Sequence, residues 1–270
     1  MQDILTCAMG LDVHRDVIVA CLAKGELGTD PEIEIRSFST LIPEMRKLRD
    51  WVLEAECRYV AMESTGIYWQ PIYEMLEPCF DGQISILVVN ARHMKNVPGR
   101  KTDMRDAQWI ATLLRAGLLK GSFIPDKTFR ELRHLTRYRK SIVRDITAQK
   151  NRIDKFLQSS GFRFTAFLSD AFGASGRNII RHLMEYGNIS REALDRCLKT
   201  QTRKRIDEIL IALNGSLSEH QRGFLRMIFG HLEALEQHRH TVEDAITKEI
   251  TKHEEALSLL CSIPGIDVTA

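Results

Sequence analysis

Apolar residues change their rhythm several times along this 270-residue chain. Cys7 to Val13 and Asp16 to Leu22 are β-rich runs, with His14-Arg15 between them as a two-residue hairpin signal. Glu32 to Phe38 alternates apolar and polar positions, the period of a half-exposed strand, so the opening reads as a three-stranded meander. Helical spacing follows from Pro43 to about Cys57, with Met45, Leu48, Val52 and Leu53 on one side. Tyr59 to Met62 is a buried-type strand ending at Glu63, and Ser64-Thr65-Gly66 supplies a turn. A helix from Tyr68 to about Leu76 stops near Pro78. Ile84 to Val89 is almost unbroken in apolar residues, as expected of a strand covered on both faces.

Three antiparallel strands followed by alternating helix and strand predict an α/β unit, a mixed sheet with flanking helices. A basic loop comes next, with Arg92, Lys95, Arg100, Lys101 and Arg105 around Pro98-Gly99, and it leads into a helix. On that helix Asp103, Asp106, Ile110 and then Leu113 or Leu114 share one face, so two acids continue an apolar stripe. Inward-facing carboxylates are costly unless a cation or donors meet them. Two further acids are unusually placed: Asp12 lies between Leu11 and Val13 in the first strand, and Glu63 ends the fourth. Open α/β sheets bind ligands beyond the carboxyl ends of their strands, where these four acids can converge. Two divalent cations bridged by carboxylates, about 3.5–4 Å apart, suit phosphodiester chemistry. All-oxygen ligands point to magnesium or manganese. The neighbouring basic loop points to a polyanionic substrate through phosphate contacts. His14 and His93 read as supports for structure or phosphate, because no histidine has metal-type spacing.

The second half is helical. From about Thr128 to Ser160, Leu135, Tyr138, Ile142, Ile146, Gln149, Ile153 and Phe156 keep three- and four-residue steps, the rhythm of a coiled coil. Between Lys127 and Lys155 this helix carries ten Lys/Arg against three acids, a local excess of +7. One side can therefore pack while Arg137, Lys140 and Arg144 meet nucleic-acid phosphates on another. Gly161 to about Ser216 reads as an insert of short helices near Asn178–Tyr186, Ser190–Leu198 and Arg203–Leu213, with Gly173 and Gly176 marking loops. No chemistry is legible there. A second long helix, from about Ser218 to Leu260, has eight acids and five Lys/Arg. It is a natural partner for the basic one, within the chain or across a dimer. The expected domains are 1–122, 123–260 with the insert at about 161–216, and the start of a third at 261–270.

Composition narrows the classes. A formal net charge of +2 does not by itself announce a nucleic-acid binder, so the segregation of charge along the chain carries that reading. Six cysteines without Cys/His clustering argue against structural zinc and for a reducing compartment. No apolar run approaches the about 20 residues of a membrane span, which with no signal peptide predicts a cytoplasmic protein with no membrane partner.

Four motifs in order carry a resemblance: Gly10-Leu11-Asp12-Val13-His14, Met62-Glu63-Ser64-Thr65-Gly66, Val89-Asn90-Ala91 and Lys101-Thr102-Asp103-Met104-Arg105-Asp106-Ala107. Together they resemble the RuvC-like DEDD domain of bacterial insertion-sequence transposases, the bridge-RNA-guided recombinases related to pilin-gene invertases. The resemblance implies an RNase H-like fold with Asp12, Glu63, Asp103 and Asp106 as metal ligands for two Mg²⁺ or Mn²⁺ ions. It also implies DNA strand cleavage and exchange at sites chosen by a structured guide RNA. The long helices would then be a coiled-coil segment assembling a dimer or tetramer. Leu260 to Ile266 resembles the opening of a helix-hairpin-helix element, beyond which family members carry the serine nucleophile of strand exchange. Ser258 and Ser262 match no nucleophile motif, so the chain reads as truncated before that domain. Two other readings keep the same residues: a stand-alone Mg²⁺-dependent nuclease of the Holliday-junction type, and a catalytically silent nucleic-acid-binding dimerisation scaffold.

Overall fold

The computed structural model describes residues 3–64, 66–80, 85–90 and 106–266. The chain divides into two compact units, Met1–Pro125 and Asp126–Ala270. In the first, β1 (Cys7–Val13), β2 (Val17–Lys24), β3 (Glu32–Ser39), β4 (Tyr59–Glu63) and β5 (Ser85–Val89) form one sheet in the order β3-β2-β1-β4-β5. β1–β2 and β2–β3 are antiparallel, whereas β1–β4 and β4–β5 are parallel. This mixed sheet is the RNase H-like arrangement that the sequence predicts. The hairpin between β1 and β2 is wider than predicted, because Val13 pairs with Ile18 and His14 N donates to Val17 O at 2.9 Å. A two-residue turn would instead set the charged Asp16 opposite buried Val13.

Side-chain alternation divides the sheet into two unlike faces. Met9, Leu11 and Val13 of β1 join Ile18, Ala20 and Leu22 of β2 and Val60 and Met62 of β4. Over them lie α1 (Ile42–Glu54), through Met45, Leu48, Trp51 and Val52, and α2 (Trp69–Leu76), through Ile72 and Leu76. α1 stops short of the predicted Cys57 because Glu56 turns to a φ of 52° and Cys57 N donates back to Val52 O at 3.2 Å. The opposite face is built from small residues. Ala8, Cys21, Ala23 and Ala61 meet Ala107, Ile110, Ala111 and Leu114 of α3 (Asp106–Arg115).

Gly10 explains the closeness of α3. A Cβ built there would lie 2.2 Å from Ala107 O and 2.4 Å from Ala111 N, both backbone atoms that cannot swing aside. The other end of α3 is pinned by Arg115, which is 1% exposed. Its guanidinium pairs with Asp3 at 3.0 Å and donates to the carbonyls of Leu5, Thr29, Gly25 and Glu26. A buried cation is tolerated because every direction it faces holds an acceptor.

In the second unit, α4 (Lys127–Ser159) and α9 (Glu219–Ile250) run antiparallel, since Phe129 stacks on His253, Arg139 pairs with Glu243, and Phe156 meets Phe224. The acidic helix thus partners the basic one within the chain. Asp126 caps α4 by accepting from Phe129 N at 3.1 Å, and Ser218 and Gln221 form a reciprocal capping box on α9. Ile142, Ile146, Ile153 and Leu157 of α4 pack with Leu225, Ile228, Phe229, Leu232, Val242 and Ile246 of α9. Gln149, 1% exposed in this seam, donates to Ile228 O at 2.6 Å and accepts from Arg152.

The segment between these helices is part of the same core. α5 (Ala174–Tyr186), α6 (Arg191–Cys197) and, after the one-turn α7 (Thr200–Arg203), α8 (Ile206–Ala212) bury Ile179, Ile180, Leu183, Leu194 and Ile209 against it, with Phe162 and Phe164. Three predicted boundaries change. Gly176 sits inside α5, where a Cβ would come within 1.9 Å of Ala171 O, so it serves packing and does not mark a loop. The helix predicted over Arg203–Leu213 starts three residues later, as α8 at Ile206, with the one-turn α7 ahead of it. The second long helix is interrupted at Thr251–His253 before α10 (Glu254–Cys261), where the Thr251 hydroxyl donates back to Lys248 O at 2.9 Å. Among the described residues no helix is long and apolar enough to cross a membrane.

Gly10→Ala is expected to destabilise the protein by about 1–3 kcal/mol through overpacking. Urea unfolding of the variant beside the wild type measures it; an unchanged midpoint would show that α3 can back away from β1 at no cost.

Candidate active site at the carboxyl ends of the central strands

Asp12 is the sixth residue of β1, and Glu63 is the last of β4. Parallel pairing aligns Gly10 with Ala61 and Leu11 with Met62, so Asp12 and Glu63 come next in step. Both continue the small-residue face, two positions beyond Gly10 and Ala61 respectively. Asp106 opens α3, one residue before the Ala107 carbonyl that presses on Gly10. The close strand–helix approach therefore brings the start of the helix to the end of the strand. A carboxylate in the first turn is also favoured by the helix dipole.

The electrostatics of Asp12 report this convergence. Its side chain is 16% exposed, and His14 Nε2 lies 3.0 Å from its Oδ2. Burial is the main cause that pushes its carboxyl above the ordinary value of 3.8. The charge of His14 opposes this, that of Asp106 adds to it, the His14 hydrogen bond again opposes it, and Glu63 adds a further push. Glu63 and Asp106, 51 and 94 positions further along the chain, are thus both within electrostatic reach of Asp12.

Other predicted site residues fare differently. Asp103, Arg92, Lys95, Arg100, Lys101 and Arg105 lie outside the described residues. Asp106 is exposed, so the predicted cost of an inward-facing acid applies to the half-buried Asp12 and not to it. Among the described residues, no three His, Cys, Asp or Glu side chains stand close enough to hold a metal ion. Arg137, Lys140 and Arg144 are exposed on α4 and belong to the second unit. With exposed Arg133 they follow steps of four, three and four residues, forming a ridge on the side of α4 away from Ile142, Ile146 and Ile153. One expectation is made specific and one contributor was missed from sequence. His14 is the direct partner of Asp12, and Gly10 permits the approach of α3. A glycine inside an apolar strand is itself a sign of close backbone contact.

The mixed sheet in the order β3-β2-β1-β4-β5, with its flanking helices, defines an RNase H-like protein. The family model of DEDD transposases of the IS110 type, described as "Transposase", matches residues 9–161. The chain belongs to this transposase family. Two solved structures are similar to part of it. One is Thermus thermophilus RuvC, at 12% identity over 43% of this chain and 99% of that chain, with a TM-score of 0.30. The other is T. thermophilus RuvC in complex with a Holliday junction substrate, at 13% identity over 44% and 100%, with a TM-score of 0.27. No curated protein matches the chain.

A raised carboxyl pKa means that the folded protein holds the Asp12 proton more tightly than the unfolded chain. This contribution favours folding below the ordinary value of 3.8 and is lost as pH rises through the higher folded value. Asp12→Asn is therefore expected to raise the metal-free melting temperature at neutral pH, with the gain vanishing in acid. Equal melting temperatures at neutral pH would contradict the electrostatic reading.

Proposed function

We propose that the first unit is the metal-dependent catalytic domain of a DNA transposase that cleaves and exchanges strands under the guidance of a structured RNA. The observation that carries this is the meeting of Asp12 with the fields of Glu63 and Asp106 at the carboxyl edge of the sheet. In a family defined by four acids, these are the first, second and fourth, and Asp103 is proposed as the third.

The donor set fits a hard divalent cation. It consists of carboxylate oxygens, and the unfavourable charge on Asp12 is what a cation would relieve. Asp12, Glu63, Asp103 and Asp106 would hold Mg²⁺ or Mn²⁺, in two sites by family resemblance. When bound, the metal supplies charge neutralisation for phosphate oxygens and an activated water. The protein contributes orientation: β1 and β4 hold Asp12 and Glu63 in step, the Gly10 contact holds α3 beside them, and His14 holds the Asp12 carboxylate.

Nucleic acid is proposed to bind both units. Arg92, Lys95, Arg100, Lys101 and Arg105 are assigned to phosphates beside the acids. Arg137, Lys140 and Arg144, on the side of α4 away from its apolar seam, are assigned to a backbone running along that helix. Assembly through the long helices is supported by α9. Its Gly223 and Gly230 each cost about 1 kcal/mol relative to alanine in a helix. Among the described residues no atom beyond their chain neighbours and the helix's own backbone lies within 4 Å of their Cβ positions, and Met227 between them is 68% exposed. A second helix would give both glycines a packing role. The serine step of strand exchange is assigned to a domain beyond this segment.

Two measurements test the reading. Asp106→Asn in the full transposase should abolish Mg²⁺-dependent strand cleavage while circular dichroism stays unchanged. Undiminished cleavage would remove Asp106 from the site, and cleavage of branched DNA by this chain alone would favour the nuclease reading. Replacing Arg137, Lys140 and Arg144 together with alanine should weaken binding to single- or double-stranded nucleic acid. It should also flatten the dependence of log affinity on log salt by about two to three units, as expected for three lost phosphate contacts. An unaltered slope would place the backbone elsewhere.

A further inference from the structure

We propose that Cys7 and Cys57 form a reversible oxidation site, at which a peroxide-class oxidant converts two neighbouring thiols into a disulfide tying β1 to the chain entering β4. Cys57 belongs to the buried cluster over this face of the sheet, Cys7 packs against that cluster, each thiol shifts the titration of the other, and Cys57 Sγ reaches Tyr59 O at 3.2 Å. Because Met9 pairs with Val60, Cys7 is in step with Arg58, one residue beyond Cys57. The contact therefore joins two segments that the sheet already holds side by side.

Cys7 has the accessible, electropositive environment of an attacking thiol, and Cys57 is the neighbour placed to resolve it. Cys7 is partly exposed, sits opposite Lys24 in the β1–β2 ladder, and has buried Arg115 in electrostatic reach. The hydrogen bond from Cys57 is the main cause lowering its pKa to about 7, with Lys24 and Arg115 assisting against burial. Cys57 is fully buried, and its thiol is pushed up, first by Cys7 and then by desolvation. Burial pushes Cys21 up to about 11 and raises Cys197, so Cys7 is the thiol that meets an oxidant first.

The chemistry balances without further components. The Cys7 thiolate attacks one peroxide oxygen, the O–O bond breaks, and hydroxide leaves and takes up a proton, giving a sulfenic acid and one water. The Cys57 sulfur then attacks the Cys7 sulfur, the S–O bond breaks, the S–S bond forms, and a second water leaves. Two electrons pass from the sulfur pair to the peroxide, and a dithiol reductant reverses the change. Cys7 lies five residues before Asp12, about 16 Å along an extended strand. It faces α1 and α2, not α3, so the bridge forms without touching the acids.

The test is intact-mass and peptide mapping of the full chain after treatment with hydrogen peroxide. The wild type should lose the mass of two hydrogens and yield one cross-linked pair, Cys7 with Cys57, restored by dithiothreitol. Cys57→Ala should stop at a dimedone-trappable sulfenic acid on Cys7. Should that variant not fold, iodoacetamide labelling of the native wild type at neutral pH replaces it, with Cys7 expected to react fastest of the six. A bridge to another cysteine, a wild type that stops at a Cys7 sulfenic acid or does not react, or labelling of Cys7 no faster than Cys79 and Cys261 would overturn the proposal.

Discussion

The approach of α3 to β1 is the contact on which the first unit depends. Only a glycine at position 10 leaves room for the Ala107 carbonyl and the Ala111 amide, and the surrounding face is kept low by Ala8, Cys21, Ala23 and Ala61. Most sheet–helix interfaces interpose large side chains; here backbone meets backbone. The helix loses freedom to slide, and Arg115 removes more at its far end by gathering four carbonyls and Asp3 around one guanidinium. An acid on the first residue of such a helix is held relative to the strand within narrow limits. Sites that must bind a cation between separate chain segments need that kind of preorganisation.

The same geometry is unfavourable to an ionised Asp12. Asp12 loses hydration and lies within the fields of Asp106 and Glu63, and His14 offsets only part of this. A fold built for stability would place an apolar or amide side chain at this point of β1. A carboxylate pushed up by burial and by neighbouring acids beside a dense, small-residue interface lowers stability at neutral pH. The thiol pair at the opposite end of β1 shows a related economy. Strand pairing that serves the acids also brings Cys7 beside Cys57.

In the second unit, polar groups within an apolar seam set the pairing of α4 and α9. Gln149 donates to Ile228 O and accepts from Arg152, and Arg139 reaches Glu243 across the helices at 2.8 Å. Shifting the pair by a turn would leave a buried amide without partners, at a cost of about 1–3 kcal/mol. The short helices between them add Arg177–Glu236 and Arg181–Glu233 and a shared core of phenylalanines and leucines.

Much of this was legible in the chain itself. Alternation and helical spacing identified the five strands, the helices α1 to α3 and both long helices, because those periods follow from backbone geometry alone. The order of Asp12, Glu63 and Asp106 with their flanking motifs identified the family. Sequence was weaker where a neighbour decides conformation. Gly176 reads as a breaker but lies within a helix, because Ala171 O occupies the space a side chain would take. Glu56 ends α1 early, and Asp106 proves exposed despite sharing a stripe with Ile110. Sequence thus determined which residues are acids, which faces are apolar and in what order they occur, since these are local properties. Tertiary structure alone decided that Asp12 bears the burial and the repulsion, because desolvation and Coulomb interaction depend on distances between segments far apart in the chain.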